Sequence, residues 1–352
     1  MRDFLNKIVN FKEVFDGKLK LYFEIKKEEA VAISPEYLEL VQFLSEYILT
    51  GGKRIRPFLA YMGYKVSGGN NSEKIMRLGM ALEIFHSFAL IHDDIIDFSN
   101  LRRNKPTFHI RLQKWHRGKD WRGKSDDFGL GLAVLAGDIL NTWADELVYG
   151  LNNRKVIKLY QEMKSEIMIG QAEDIFLSEI KNISDKDRIV NVMMRKTSGY
   201  TAQKPLILGA TLGGAKKSQQ EFYKNLSAPL GLAFQLKDDV LGMFGRRQEI
   251  GKPTDSDIKE GKITLLIYYA LKSGKISRDY LLKLLGNKKV TREQIREFKK
   301  IIKRSGALQR VDSEIDRYIT AAKKIVKKSK ILNVCDKNIF TGLADFLEKR
   351  KY

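Results

Sequence analysis

The chain has 352 residues, and its charge and composition exclude several classes of protein. Lys and Arg together number 64 against 43 Asp and Glu, which gives a net charge of +21 at pH 7. Hydrophobic residues make up 43% of the chain, enough to bury a large core, so global disorder is excluded. No apolar run approaches the length of about 18 residues that a membrane-spanning helix requires. The excess of positive charge indicates an anionic partner, such as a nucleic acid, a membrane surface or a phosphorylated ligand.

The N-terminal segment and the cysteine content favour a cytoplasmic protein. Charged residues interrupt the apolar positions of residues 1–20, which is unlike a signal peptide. Cys335 is the single cysteine, so an intrachain disulfide is ruled out and a reducing compartment is expected.

Helical periodicity dominates the chain. Apolar residues recur every three or four positions over residues 75–96, 157–168 and 222–234, whereas sustained alternation is scarce. Ser34 before Pro35 is typical of a capped helix start. The sequence shows no linker, repeat or low-complexity block. We therefore predict an all-α helical bundle with a single domain over residues 1–352.

The first motif in chain order joins two glycines to three cations. The segment Gly51-Gly52-Lys53-Arg54-Ile55-Arg56-Pro57 combines a glycine turn with positive charge, which suits a diphosphate. Taken singly, each of these cations is most often a surface residue. The inference therefore depends on the motifs that follow.

An acidic cluster lies further along, inside an apolar stretch. Asp93 and Asp97 are one helical turn apart and share a face, with Asp94 beside them. Two such carboxylates repel each other unless a cation lies between them, and hard oxygen ligands with open positions suit Mg²⁺ that also binds phosphate. A solvated acidic face is the alternative, but the flanking Phe and Ile residues argue against a helix that faces only solvent.

The segment 113–129 departs from the helical pattern. It is polar, basic and punctuated by glycine, and it carries Trp115 and Trp121. The pattern predicts a surface-loop insertion between two helices. A basic aromatic loop is also suited to transient membrane contact, which we keep as an alternative to simple solvation.

A second acidic pair, Asp238 and Asp239, follows Gln235 in another apolar helical pattern. Two acidic pairs in one bundle favour a shared metal cluster between facing helices. Cations accompany both pairs, at Arg102, Arg103, Lys196, Lys252 and Lys262. Alternating acidic and basic motifs fit a polyanionic ligand that is held partly through metal. A Walker-type phosphate loop is absent from the sequence.

The combination and order of these motifs resemble those of the trans-isoprenyl diphosphate (polyprenyl) synthases, in particular geranylgeranyl diphosphate synthases. The matching segments are GGKRIRP, DDIID followed by RR, GQAED, RKT, FQLKDD and GKPTDSDIKEGK, spread over residues 45–270. The resemblance implies an all-α fold around a deep apolar cavity, usually homodimeric. It also implies the Mg²⁺-dependent, head-to-tail condensation of isopentenyl diphosphate with an allylic diphosphate, with several Mg²⁺ ions per active site.

The resemblance also implies roles for individual residues. The expected metal ligands are Asp93, Asp97 and Asp238, with Asp94 and Asp239 beside them. The positions that bind isopentenyl diphosphate are matched by Lys53, Arg56, His86 and Arg103. Those around the allylic diphosphate are matched by Arg102, Lys196, Thr197, Gln235, Lys252 and Lys262. The expected catalytic residues are Asp93, Asp97, Lys196 and Asp238.

The resemblance also addresses the length of the product. In the family, a bulky aromatic residue five positions before the acidic motif, here Phe88, goes with a C20 product, and Phe85 is the candidate for a second residue that closes the end of the cavity. Ordinary core packing is the alternative role for both rings. Dimethylallyl, geranyl and farnesyl diphosphates are the expected allylic substrates, and farnesyl or longer-chain polyprenyl diphosphates are the alternative products.

One position departs from the family pattern. Gly242 stands where many relatives have a third aspartate in the second acidic motif. That position is the most expendable of the three, so we expect Gly242→Asp to do little or to tighten Mg²⁺ binding modestly.

Three other functions fit the sequence less well. A terpene cyclase would not need the set of GGKRIRP, His86 and Arg103, and a non-catalytic subunit of a heteromeric synthase would be expected to lose acidic motifs. A basic nucleic-acid-binding protein would account for the charge, but no recognition motif is present, so no nucleic-acid partner is expected.

Overall fold

The computed structural model describes residues 1–180, 185–245, 256–274 and 277–349, and nearly all of their regular structure is helical. In chain order the helices are α1 (Arg2–Val31), α2 (Pro35–Leu49), α3 (Ile55–Val66), α4 (Ser72–Ile96), α5 (Phe108–Gly118), α6 (Ser125–Tyr149), α7 (Arg154–Glu179), α8 (Lys186–Met193), α9 (Lys204–Leu212), α10 (Lys217–Phe244), α11 (Ser256–Lys259), α12 (Leu265–Lys272), α13 (Arg278–Leu284), α14 (Arg292–Arg304), α15 (Ala307–Lys328) and α16 (Val334–Lys349). The predicted all-α class is confirmed.

Two short elements interrupt this pattern. A π-helix over Met194–Gln203 joins α8 to α9. The strands β1 (Leu101–Arg102) and β2 (Lys105–Pro106) form an antiparallel hairpin. Arg103 and Asn104 lie between the strands with φ of 52° and 60°, as a tight two-residue hairpin turn requires.

The chain divides into two compact units, which are described separately below. The first unit contains Leu5–Lys158 and Pro205–Lys216. The second unit contains Met1–Phe4, Leu159–Lys204 and Lys217–Tyr352. The single domain expected over residues 1–352 stays a prediction.

Helix α4 is the central element of the first unit. Asn71 caps it by accepting a hydrogen bond from the backbone N–H of Lys74, and its apolar residues pack against α2, α3 and α6. By length and composition α4 is apolar enough to cross a membrane, but 61% of the window concerned is buried inside the protein, as is usual for a core helix. Ser34 caps α2 as predicted, because its Oγ accepts a hydrogen bond from the N–H of Tyr37.

Helices α3 and α9 of the first unit approach each other closely. A β-carbon at Gly209 on α9 would lie 1.8 Å from the carbonyl oxygen of Ala60 on α3, and one at Gly63 would meet the carbonyl of Leu206. Only glycine allows two helices to approach this closely. The core of the same unit includes stacked and edge-on contacts of Phe11 with Phe15 and Phe58.

Helix α10 is the central element of the second unit. It packs against the π-helix and against α15, which in turn contacts α12, α14 and α16. Its apolar face is buried through Tyr223, Leu226, Leu230 and Leu236. A capping box begins α14, where Thr291 and Gln294 satisfy each other's backbone N–H groups.

The surface loop predicted over residues 113–129 is wrong for most of that range. Residues 113–118 belong to α5 and residues 125–129 to α6, so the connection is limited to residues 119–124. The Trp115 and Trp121 rings lie 4.8 Å apart, and Trp115 Nε1 donates a hydrogen bond to Glu39 Oε2 at 2.7 Å. These rings pack against each other, and the polar residues of the segment lie on the outer faces of two helices. Transient membrane contact by this segment stays a prediction.

Candidate active site

The first acidic motif lies at the C-terminal end of α4. Asp93 and Asp94 are in the last turn, and Asp97 is the C-cap residue, whose N–H donates to the carbonyl oxygen of Asp93 at 2.8 Å. The last turn holds no basic residue. Carboxylates at the negative end of a helix dipole are destabilised, so this end of α4 requires cations from elsewhere.

Arg102, on the β-hairpin, supplies part of that charge. Its Nε donates to Asp94 Oδ2 at 2.7 Å, and its Nη2 contacts Asp93 Oδ2 at 3.2 Å. Although desolvation opposes ionisation, the neighbouring Asp94 carboxylate holds the pKa of Arg102 above its usual range. These contacts show Arg102 neutralising the acidic motif, with Asp94 fully buried. The role towards the allylic diphosphate that the family resemblance implies for Arg102 stays a prediction.

The donor chemistry of this motif fits Mg²⁺. Asp93 and Asp97 present two carboxylates from one turn, and both residues are partly exposed. Within the part of the chain that the structure describes, no group of three Asp, Glu, His or Cys residues is arranged to hold a metal by itself. Mg²⁺ usually takes one or two protein carboxylates and completes its shell with water and substrate phosphate, so a pair of carboxylates is enough for such a site.

The glycine-rich motif and Arg103 come together in the same unit. A β-carbon at Gly51 would lie 2.5 Å from Nη1 of Arg103, so Arg103 lies directly against the glycine turn. Gly52 has φ of +90°, a conformation that favours glycine. The hairpin turn thereby brings Arg103 to the motif that carries Lys53 and Arg56.

His86 belongs to this cationic group. Desolvation, followed by the positive charges of Arg56 and Arg103, lowers the pKa of His86 well below its ordinary value. A neutral imidazole near several cations can donate a hydrogen bond to an anion without adding to the repulsion. Three of the four residues predicted to bind isopentenyl diphosphate, namely Arg56, His86 and Arg103, are thus electrostatic neighbours.

The second acidic motif lies on α10 in the second unit. Gln235 Nε2 donates to Asp239 Oδ1 at 2.6 Å. Desolvation is the main cause that raises the pKa of Asp239 well above its ordinary value, and the charges of Asp257, Asp238 and Asp174 add to it. An accumulation of carboxylates that repel one another is stabilised by a bound cation.

Lys196 is positioned by a close approach of two helices. A β-carbon at Gly170 on α7 would lie 2.6 Å from the backbone nitrogen of Lys196, so this glycine lets α7 contact the π-helix. One turn after Gly170, Asp174 accepts a hydrogen bond from Lys196 Nζ at 2.5 Å. Thr197 follows Lys196 on the π-helix and is half-buried. A π-helix is costly and occurs frequently at functional sites.

The sequence interpretation missed the relation between Gly242 and Asp257. A β-carbon at Gly242 would lie 2.5 Å from Oδ2 of Asp257, so the Asp257 carboxylate occupies the space into which a side chain at position 242 would extend. The effect of Gly242→Asp therefore depends on how the Asp257 carboxylate moves, and the expected neutral or favourable outcome stays a prediction. Asp174 and Asp257 both lie in motifs that resemble the family, GQAED and GKPTDSDIKEGK, and this was the available signal for them.

The remaining predicted residues are placed as follows. Lys262 Nζ contacts Glu260 Oε2 at 2.8 Å in the second unit, and Lys252 lies outside the described residues. In the first unit Phe88 is 8% exposed, and its ring lies 5.3 Å from that of Phe85. The Phe88 ring also lies 4.6 Å from the His92 ring, and His92 Nε2 donates to the carbonyl oxygen of Val134 on α6.

Comparisons with known proteins agree with this arrangement of motifs. A short chain isoprenyl diphosphate synthase of Methanocaldococcus jannaschii is 31% identical over 348 residues, which cover 97% of this chain and 95% of the relative. A geranylgeranyl diphosphate synthase of Sulfolobus acidocaldarius is 33% identical over 280 residues, covering 77% of this chain and 79% of the relative.

A solved structure extends the likeness to three dimensions. The geranylgeranyl pyrophosphate synthase of Corynebacterium glutamicum, in complex with isoprenyl diphosphate and magnesium, matches with a TM-score of 0.91 and 30% identity, and the match covers 97% of this chain and 99% of that one. Residues 38–302 match the sequence model of the Polyprenyl synthetase family. Because that match spans most of the chain, the protein belongs to the polyprenyl synthetase family and is a trans-prenyltransferase.

Proposed function

We propose that this enzyme condenses isopentenyl diphosphate with allylic diphosphates, in the presence of Mg²⁺, to give geranylgeranyl diphosphate as its main product. The observation that carries the proposal is the C-terminal end of α4. There, Asp93 and Asp97 share one turn, and a hairpin brings two arginines to the same region. The fold likeness to a synthase solved with isoprenyl diphosphate and magnesium supports the assignment of both the metal and the ligand class.

Asp93 and Asp97 would hold Mg²⁺ in the first unit, and Asp238 would do so in the second, with Asp94 and Asp239 beside them. The chemistry that bound Mg²⁺ supplies is neutralisation of the charge that develops on the departing diphosphate. The chain's own cations act in the same direction, since preorganised positive groups stabilise a developing anion without reorganisation.

Two groups of residues would bind the two substrates. Lys53, Arg56, His86 and Arg103 bind isopentenyl diphosphate, and the neutral imidazole of His86 donates a hydrogen bond. Lys196, Thr197, Gln235, Lys252 and Lys262 bind the allylic diphosphate, to which Arg102 contributes through its contacts with the acidic motif. Lys196 is held for this task by Gly170 and Asp174.

The reaction needs no protein nucleophile. The C–O bond of the allylic diphosphate breaks, and the diphosphate leaves with the electron pair. The double bond of isopentenyl diphosphate attacks the resulting carbocation and forms the new C–C bond. The adduct then loses a proton, for which the released diphosphate is the acceptor. A cavity that excludes water protects the cation during these steps.

The length of the product would be set by Phe88 and, beneath it, Phe85. Both rings lie in the interior of the first unit and contact each other on the helix that carries the acidic motif. A growing prenyl chain that extends along α4 meets this aromatic bulk and stops at about C20. The alternative is that both rings serve only core packing, with a farnesyl or longer polyprenyl product.

A homodimer and a cytoplasmic location complete the proposal. The outward face of α6 carries Leu130, Val134 and Leu135, of which Leu135 is 58% exposed, and Phe98 in the same unit is 72% exposed. Burial of such an apolar surface against a second copy would stabilise the pair. The single Cys335 accords with a reducing compartment.

The direct test is a condensation assay with radiolabelled isopentenyl diphosphate, Mg²⁺ and dimethylallyl, geranyl or farnesyl diphosphate as the allylic partner. We expect a C20 product from each, together with complete dependence on Mg²⁺, which chelation would reveal. If no prenyl product forms from any partner, the proposal fails. A main product of another length would retain the reaction and overturn the chain-length assignment.

A further inference from the structure

A chain of buried charges lies behind the glycine-rich motif. Arg54 is 2% exposed, and each of its three side-chain nitrogens donates a hydrogen bond. Its Nε donates to Asp16 Oδ1 at 2.7 Å, its Nη1 to Glu83 Oε1 at 2.6 Å and its Nη2 to the carbonyl oxygen of Ile48 at 2.9 Å. Arg54 thereby connects α1, the end of α2 and the middle of α4, three elements that are distant in sequence.

The backbone at Arg54 is held in an unfavourable conformation. Arg54 is the N-cap residue of α3 and has φ of 52° and ψ of 35°, in the left-handed region that residues with a side chain rarely adopt. Its side chain makes no capping hydrogen bond to α3. Strain of this kind persists only where the surroundings over-determine it, typically at functional sites.

The charge chain lies against the residues proposed to bind isopentenyl diphosphate. A β-carbon at Gly52 would lie 3.2 Å from both Arg54 Nη1 and Glu83 Oε1, and 3.8 Å from Nη2 of Arg103. Glu83 also precedes His86 by three residues on α4, so the two share a helix face. The backbone of the glycine-rich motif therefore lies against the Arg54–Glu83 pair at Gly52.

We propose that Arg54 is a positioning residue that, together with Asp16 and Glu83, fixes the backbone of the glycine-rich motif so that Lys53, Arg56 and Arg103 converge on one diphosphate. Arg54 itself is too deeply buried to contact the substrate. This inference rests on the proposed function for the identity of the ligand. The positioning of the cations around an anion site does not depend on that identity.

Stability alone does not account for the arrangement. Buried ion pairs seldom stabilise a fold more than apolar residues of the same size, because desolvation offsets the attraction between the charges. A charge chain that also holds a strained residue is better explained by the geometry that it enforces. A lysine could not replace Arg54, because only the planar guanidinium presents donors in three fixed directions.

The experiment compares Arg54→Lys, Glu83→Gln and the double variant Arg54→Met/Glu83→Met. The double variant replaces the buried pair with apolar side chains, so we expect it to keep the thermal stability that a single charge deletion would lose. Binding of isopentenyl diphosphate alone, and of dimethylallyl diphosphate alone, is measured by calorimetry, and KM for each substrate is measured in the condensation assay.

We expect each variant to bind isopentenyl diphosphate about 10- to 100-fold more weakly, because the loss of one hydrogen bond to a charged group has an effect of that size on affinity. The affinity for dimethylallyl diphosphate should change less than about threefold. In the same way, KM should rise for isopentenyl diphosphate and change little for dimethylallyl diphosphate. Equal losses of affinity for the two substrates would show that the charge chain serves stability alone. Wild-type affinity for isopentenyl diphosphate in a folded double variant would show the same.

Two controls separate positioning from general destabilisation. Lys12→Ala removes the exposed partner of Asp16 and leaves the contact of Asp16 with Arg54 in place. Glu314→Gln weakens a comparable network in the second unit, where Glu314 Oε1 accepts hydrogen bonds from Lys186 Nζ at 2.6 Å and from the Tyr269 hydroxyl. Neither control should alter the ratio of the two affinities, even if Glu314→Gln lowers the melting temperature.

The outcomes also distinguish this inference from the proposed function. If the wild-type protein forms no prenyl product, the proposed function fails, while the calorimetric comparison, which needs no turnover, still decides the positioning role. If the wild type is active and the Arg54 and Glu83 variants keep its affinity for isopentenyl diphosphate, only the positioning role is overturned.

Discussion

The substitution Gly242→Asp tests whether Asp257 already occupies the place of the third aspartate in the second acidic motif. A β-carbon at position 242 would lie 2.5 Å from Asp257 Oδ2, so even alanine requires Asp257 to move. Oδ2 is the far end of a flexible side chain, so that movement itself costs little, and the charge of the new side chain decides the outcome. Aspartate adds a second carboxylate beside Asp257, and two unit charges about 4 Å apart repel by about 4 kcal/mol at an effective dielectric constant of about 20.

We expect metal-free Gly242→Asp to be about 2 kcal/mol less stable than Gly242→Ala at pH 7. The difference is smaller than the full repulsion because the carboxylates can move apart or take up a proton. Chemical denaturation of both variants, followed by circular dichroism, gives the comparison. The double variant Gly242→Asp/Asp257→Asn should recover most of the stability that is lost through charge repulsion, since it removes the repulsion and retains the added volume. Equal stability of the two single variants, or tighter Mg²⁺ binding by Gly242→Asp, would show that Asp257 does not fill this position.

The other predictions concern the metal, the two substrates, the product and the pH dependence. Asp97→Ala should reduce turnover by several orders of magnitude while the circular dichroism spectrum stays that of the wild type, because it removes leaving-group stabilisation; turnover near that of the wild type would refute the assignment. Arg56→Ala should raise KM mainly for isopentenyl diphosphate and Lys196→Ala mainly for the allylic substrate, since each removes a charge-assisted contact worth about 1.5–3 kcal/mol; equal effects would contradict the division between the sites. Phe88→Ser should lengthen the product, as chromatography of the dephosphorylated chains would show, and an unchanged product would place the end of the cavity elsewhere. The pKa of Asp239 is raised in the folded protein, mainly by desolvation, so the metal-free wild type should lose stability as the pH rises from about 4 through that pKa; Asp239→Asn should flatten the dependence of the melting temperature on pH, and an unaltered profile would mean that another group is responsible.

Much of the fold and part of the site could be predicted from local sequence patterns. Helical periodicity is a short-range property, and it correctly indicated an all-α protein and the capped start of α2 at Ser34. Asp93 and Asp97 were likewise predicted to share a turn, because four residues correspond to about one turn of any α-helix. The order of the motifs was specific enough to indicate the family.

Local patterns failed where distant residues decide the outcome. The polar segment 113–129 resembled a loop, yet Trp115, Trp121 and Glu39 convert most of it into packed helix, and Glu39 lies 76 residues before Trp115. The contacts of Arg102 with Asp93 and Asp94 were likewise not predicted, because the hairpin that makes them is formed by residues beyond the end of α4.

Spacing along the chain and the order of short motifs were enough to indicate most of the helices, the family and the residue types that carry the chemistry, because these are local properties of the sequence. The pairing of each carboxylate with its cation depends instead on how distant elements pack. Arg54 finds Asp16 across 38 residues, and Asp257 takes the space beside Gly242 from another helix. Such pairings follow from the packing of elements that approach each other in space, and no periodicity along the sequence encodes them.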